Sequence, residues 1–137
     1  GVDFPVEGKK GRDAVCMGRP ETLRFVKDVV DELKAVFPPG SPIHLGHDEV
    51  SAEAWKKCRY CQNRLKNLRE KDIKALGRDF LQQIADYVRK DGYDAIVWDE
   101  AGELEADKHI LVMAWLCCGG SQERASRHSG AVFPLLF

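Results

Sequence analysis

Short apolar strands alternating with amphipathic helices, acidic residues set directly behind two of those strands, and Pro/Gly breakers between elements predict an α/β chain of parallel βα units. The strand candidates are short, mainly apolar runs, the pattern of strands covered on both faces. At 137 residues the chain has room for one hydrophobic core and not for two ordinary domains, so residues 1–137 read as a single unit. No linker or low-complexity segment interrupts it, and the only repeat is the βα rhythm.

The first helix opens at Pro20-Glu21, and Leu23, Val26, Val30, Leu33 and Phe37 recur at three and four residues, the stripe of one buried face. Pro38-Pro39-Gly40 stops it. Pro42-Ile43-His44-Leu45-Gly46 follows as a buried strand, then the polar turn His47-Asp48-Glu49, with Ser51 as the expected N-cap of the next helix. A second long helical pattern runs through Leu65, Leu68, Ile73, Leu76, Phe80, Ile84 and Val88 and ends at Asp91-Gly92. Ala95-Ile96-Val97-Trp98 is the next strand, with Asp99-Glu100 behind it. A third strand is expected from Ile110 to Leu116 and a fourth from Ala131 to Leu136, after the helix-compatible Gln122 to His128.

Charge excludes some partners. With 21 Lys+Arg against 22 Asp+Glu the formal charge is -1, which gives no general attraction to nucleic acid or anionic membrane. Between Ser51 and Lys90, eleven basic residues face five acidic ones, with Trp55 and Tyr60 among them. Without a recognition motif this reads as solvated helix surface and not as a nucleic-acid face. No apolar run approaches the roughly 20 residues that span a bilayer, so no membrane partner is expected. Gly1-Val2-Asp3-Phe4-Pro5 lacks a basic-then-apolar leader pattern. Five cysteines, an odd number, do not suit a disulfide framework, and the expected setting is reducing and cytoplasmic. Cys58-Arg59-Tyr60-Cys61 has zinc-knuckle spacing, and Cys117-Cys118 would bring the thiols to four. A second Cys-x-x-Cys is lacking. Free thiols, with no metal and no cofactor, are therefore the expectation.

Chemistry concentrates where strands end, because side chains and loops converge at the carboxyl ends of parallel strands. Asp48, Glu49, Trp98, Asp99, Glu100 and Trp115 all fall there. Adjacent carboxylates split roles when one stays ionised and the other, partly desolvated beside it, is pushed up to act as an acid. Tryptophans at neighbouring strand ends give flat apolar walls suited to a sugar ring or an acetamido methyl. The plainer alternative is a helix N-terminus carrying Asp and Glu, which the helix dipole favours, together with core tryptophans.

Ile43-His44-Leu45-Gly46-His47-Asp48-Glu49-Val50 resembles the His-x-Gly-Gly-Asp-Glu signature of family 20 glycoside hydrolases, the β-N-acetylhexosaminidases. Gly18-Arg19-Pro20-Glu21-Thr22, the Phe37-Pro38 ending, Val97-Trp98-Asp99-Glu100 and Val112-Met113-Ala114-Trp115 resemble that family's pattern in the same order, from about residue 14 to 136. The resemblance implies a (βα)8 TIM-type barrel, of which this chain corresponds to the central half: four to five parallel strands with flanking helices, completed by dimerisation into a homodimer. A whole barrel takes about 250 residues. The early strands with the sugar-gripping arginine and the late loop tyrosine fall outside the resemblance.

The implied reaction is hydrolysis of terminal β-linked N-acetylhexosamine by substrate-assisted retention, an exception to the two-carboxylate scheme. The substrate's acetamido oxygen attacks the anomeric carbon. Asp48 would orient the acetamido nitrogen, and Glu49 would protonate the leaving oxygen and later activate water. Trp98 and Trp115 would line the acetamido pocket, Glu100 would meet a sugar hydroxyl, with a surface carboxylate as the plainer reading, and His44 would give supporting hydrogen bonding, with a satisfied core histidine as the equal alternative. His47 stands where the signature has its second glycine, which sets a bulky, titratable side chain beside the acid pair. The glycan is the expected partner. Two other classes stay open: a non-catalytic carbohydrate-binding fragment, and a small zinc-stapled interaction module.

Overall fold

The computed structural model describes residues 14–48, 52–98, 109–114 and 132–134. In these, α1 (Pro20–Val36), β1 (Pro42–His44), α2 (Glu53–Lys56), α3 (Arg59–Asn67), α4 (Lys74–Lys90), β2 (Asp94–Trp98), β3 (Leu111–Ala114) and β4 (Val132–Pro134) follow one another. The four strands form one sheet in the order β1-β2-β3-β4, every pair parallel, as the βα rhythm predicts. The register sets Ile43 opposite Ala95, Val97 opposite Val112, and Val112 opposite Val132. Among the described residues, β1 and β4 each pair with a single neighbour.

Proline at the first helical position starts α1, since its missing N–H costs no helix bond there and its φ is already helical. Leu23, Val26, Val30 and Leu33 pack on the core as the stripe predicts. Phe37 does not: it lies past the helix end as its C-cap, half exposed, with its N–H on the Leu33 carbonyl at 2.9 Å. The amino ends of β1 and β2 are tied together at this point. Gly40, at φ 87°, donates its N–H to the Gly92 carbonyl at 2.8 Å. The Tyr93 hydroxyl bonds the carbonyls of Lys34 (3.0 Å) and Phe37 (2.9 Å). Lys34 Nζ bonds Asp91 Oδ2 at 2.7 Å and the Tyr87 carbonyl at 3.2 Å, and lies 4.1 Å from the Tyr87 ring centroid. That contact holds the Asp91 carboxyl below its ordinary value.

The second helical pattern is two helices and not one. After α3, Arg69 turns left-handed at φ 59°, the Glu70 N–H reaches back to the Leu65 carbonyl (3.2 Å) and the Arg69 N–H to that of Lys66 (3.0 Å). This is a Schellman ending with arginine in the place usually held by glycine. Asp72 Oδ1 then accepts the Lys74 N–H at 3.0 Å at the start of α4. A fork from Arg64 to Asp79, with Nη2 to Oδ2 at 2.8 Å and Nε to Oδ2 at 3.0 Å, holds the two helices together. Ser51, the expected N-cap, lies outside the described residues; α2 begins at Glu53 with Ala52 at its N-cap and no side-chain cap bond.

Leu76, Phe80, Leu81, Ile84, Ala85 and Val88 bury one face of α4 with Ala95 and Val97 of β2 and Ile110 ahead of β3, forming the centre of the core. Trp55 is buried in the same cluster, 3% exposed, with its indole N–H on the Val15 carbonyl at 3.1 Å, so it does not face a partner. None of the described helices is long and apolar enough to cross a membrane. The helix-compatible stretch Gln122 to His128 lies outside the described residues.

Candidate active site at the strand ends

β1 ends at His44, and its backbone stays paired with β2 through two further bonds: the Leu45 N–H to the Ile96 carbonyl (2.8 Å) and the Trp98 N–H to the Gly46 carbonyl (3.2 Å). The chain then curls. Gly46 (φ 69°) and His47 (φ 72°) are both left-handed, which turns the backbone off the strand and delivers Asp48 to its carboxyl end. A Cβ at Gly46 would lie 3.6 Å from Asp48 Oδ1, so that carboxylate sits close over the turn. His47 therefore occupies a backbone state that glycine adopts freely and that costs an L-residue roughly 1–2 kcal/mol.

The His44 and Trp98 rings meet at 4.6 Å between centroids, tilted by 53°, across the two strand ends. His44 Nδ1 accepts the Gly46 N–H at 3.0 Å. The ring is thus the neutral tautomer with its proton on Nε2. Burial pushes the imidazole below its ordinary value, and the nearby Asp48 charge pulls the other way. Asp48 itself is exposed and His47 half-buried. The geometry sets His44 against Trp98 at one rim of the sheet, with His47 and Asp48 in the turn that follows and the Asp48 charge acting on His44. Glu49, Asp99, Glu100 and Trp115 lie outside the described residues.

Residues 3–133 match the family model for glycosyl hydrolase family 20, catalytic domain. The chain belongs to that family. Curated relatives include a beta-hexosaminidase of Porphyromonas gingivalis, 36% identical over 104 residues, and one of Akkermansia muciniphila, 34% identical over 104 residues. These alignments cover 76% of this chain but 13% and 21% of the relatives, so the family 20 sequence here spans a small part of their length. Among solved structures, a family 20 exo-β-N-acetylglucosaminidase of Vibrio harveyi superposes with a TM-score of 0.79 at 27% identity, covering 88% of this chain and 19% of that one. A β-N-acetylhexosaminidase of Bacteroides fragilis gives 0.72 at 28% identity, covering 89% and 25%. The parallel sheet with its helices is the family 20 arrangement.

A second cluster lies away from the strand ends and was not legible as a unit. Cys16, ahead of α1, joins Cys58 and Cys61 at the start of α3, all three fully buried. Cys16 Sγ is 3.5 Å from that of Cys58 and 3.7 Å from that of Cys61. Sequence spacing offered only Cys117 and Cys118 as thiols to join Cys58 and Cys61, with free thiols as the expectation, and Cys117 and Cys118 lie outside the described residues; the third thiol comes from 42 residues upstream of Cys58, a distance that spacing cannot reveal. The hydrogen bond with Cys61 brings the Cys16 thiol down to about 6 against its burial, helped by Cys58, the Gly18 N–H and Arg19. The same pairing pushes Cys61 up.

Proposed function

We propose that this chain carries the acid-pair segment of a family 20 active site that hydrolyses terminal β-linked N-acetylhexosamine by substrate-assisted retention. The observation that supports the reading is the left-handed turn at Gly46-His47, which leads from the strand end where His44 and Trp98 meet directly into Asp48. An ionised carboxylate there orients and charge-stabilises the acetamido nitrogen as its oxygen closes on the anomeric carbon. Glu49, next in sequence, protonates the leaving oxygen and then takes a proton from the attacking water. Trp98 and Trp115 form the apolar wall for the acetamido methyl, Glu100 binds a sugar hydroxyl, and neutral His44 keeps the turn and Trp98 in register. His47 flanks the acid pair. The sheet is part of a (βα)8 barrel, and the outer edges of β1 and β4, unpaired among the described residues, are completed by further strands of the same polypeptide or by a second copy in a homodimer.

The test is Glu49→Gln in the intact protein. Cleavage of an unactivated chitobiose-like substrate should fall about 100-fold or more, the scale of general acid catalysis, while activated aryl glycosides, which need little protonation, keep far more of their rate. Asp48→Asn should slow both. Equal kinetics of the wild type and Glu49→Gln on the unactivated substrate would remove Glu49 from the mechanism, and binding without turnover in the wild type would leave a carbohydrate-binding role.

A further inference from the structure

We propose that Cys16, Cys58 and Cys61 form a structural zinc site. The three Sγ atoms lie within 4.8 Å of one another, fully buried, and form the one such group of potential metal ligands among the described residues. A tetrahedral zinc with bonds of about 2.3 Å to sulfur separates its thiolates by about 3.8 Å. The two contacts from Cys16, 3.5 and 3.7 Å, are close to that spacing. Two ligands come from a Cys-x-x-Cys at a helix start, Cys58 at the N-cap of α3 and Cys61 in its first turn, and the third from the turn ahead of α1.

The surroundings suit a metal thiolate better than three packed thiols. The turn that carries Cys16 lies directly against the Cys-x-x-Cys because residue 18 has no side chain: a Cβ there would stand 2.2 Å from the Tyr60 carbonyl carbon and 2.4 Å from the Cys61 nitrogen. Arg19, stacked 4.2 Å over the Tyr60 ring, has a buried Nε without a hydrogen-bond partner among the described residues. Three thiolates and one Zn²⁺ carry a net charge of −1, which that guanidinium complements. The described residues thus supply three of the four ligands that a tetrahedral zinc takes. The ion would staple the segment before α1 to the start of α3, and so fix the chain that follows the acid pair independently of the sugar chemistry.

The experiment is metal analysis of the intact protein purified under reducing conditions without chelator. The expected result is one zinc per chain, and replacement by Co²⁺ should give thiolate-to-cobalt charge-transfer absorption with the visible bands of a tetrahedral ion. Cys16→Ser and Cys61→Ser should each lower zinc retention and weaken that absorption. Removing zinc from the wild type should lower the melting temperature and open the three thiols to a thiol reagent. Protein with substoichiometric zinc that binds no Co²⁺, or a disulfide between any two of these cysteines in the folded wild type found by mass spectrometry, would overturn the proposal whether or not the serine variants fold.

Discussion

Gly18→Ala separates crowding from backbone strain. The Cβ it adds would lie 2.2 Å from both the carbon and the oxygen of the Tyr60 carbonyl, where ordinary contact begins near 3.4 Å. The segment ahead of α1 or the start of α3 must therefore move by about 1.2 Å, and neither contact atom is a side chain that can swing aside. Overpacking typically costs about 1–3 kcal/mol when side chains adjust, so a clash against backbone should reach about 3 kcal/mol. Gly40→Ala is the control: nothing lies within 4 Å of its added Cβ, and only its φ of +87° opposes the change, worth about 1 kcal/mol. Urea unfolding monitored by tryptophan fluorescence gives both values from midpoints at constant m. A Gly18→Ala penalty no larger than that of Gly40→Ala would refute the close approach of the Cys16–Gly18 turn to α3.

His47→Gly should raise stability by about 0.5–1 kcal/mol in the same assay, because relief of a left-handed L-residue exceeds the entropy that glycine adds to the unfolded chain; a lower midpoint would show that the His47 side chain contributes more than its backbone costs. The His44 imidazole, followed by NMR, should titrate below the value of about 6.5 found in unfolded chains, and Asp48→Asn should move it lower still by deleting the opposing charge. Since its folded pKa is depressed, the stability it contributes is present above about 6.5 and lost as pH falls through the folded value. A midpoint that rises in Asp48→Asn would contradict the placement of that carboxylate.

Periodicity and breakers made most of the fold legible: the stripe Leu23, Val26, Val30, Leu33 and the short apolar strands lie where they pack. The first strand came out as Pro42–His44 instead of Pro42 to Gly46, because the left-handed turn at Gly46-His47 takes the chain off the strand after two last backbone bonds to β2; β3 begins at Leu111, one residue after the expected Ile110, and the expected end at Leu116 lies outside the described residues. The break between α3 and α4 was hidden because the left-handed residue that ends α3 is Arg69, and only glycine or asparagine announces such a turn. At the rim, the order of residues placed His44, His47, Asp48 and Trp98 at strand ends. The thiol cluster was half legible: local spacing paired Cys58 with Cys61, but Cys16 meets them only through tertiary packing.

The ties among Lys34, Tyr87, Asp91 and Tyr93 all gather at the amino ends of β1 and β2, at the far end of the strands from Asp48. The fold therefore has a cross-tied floor, set apart from the rim that carries Asp48. Variation can be tried at the rim, as the histidine at position 47 illustrates, without loosening the joint that sets the two strands side by side. On the function proposed above, a library aimed at new sugar selectivity would diversify His47 while keeping Gly46, Asp48 and Glu49, and would leave residues 31–40 and 87–94 untouched.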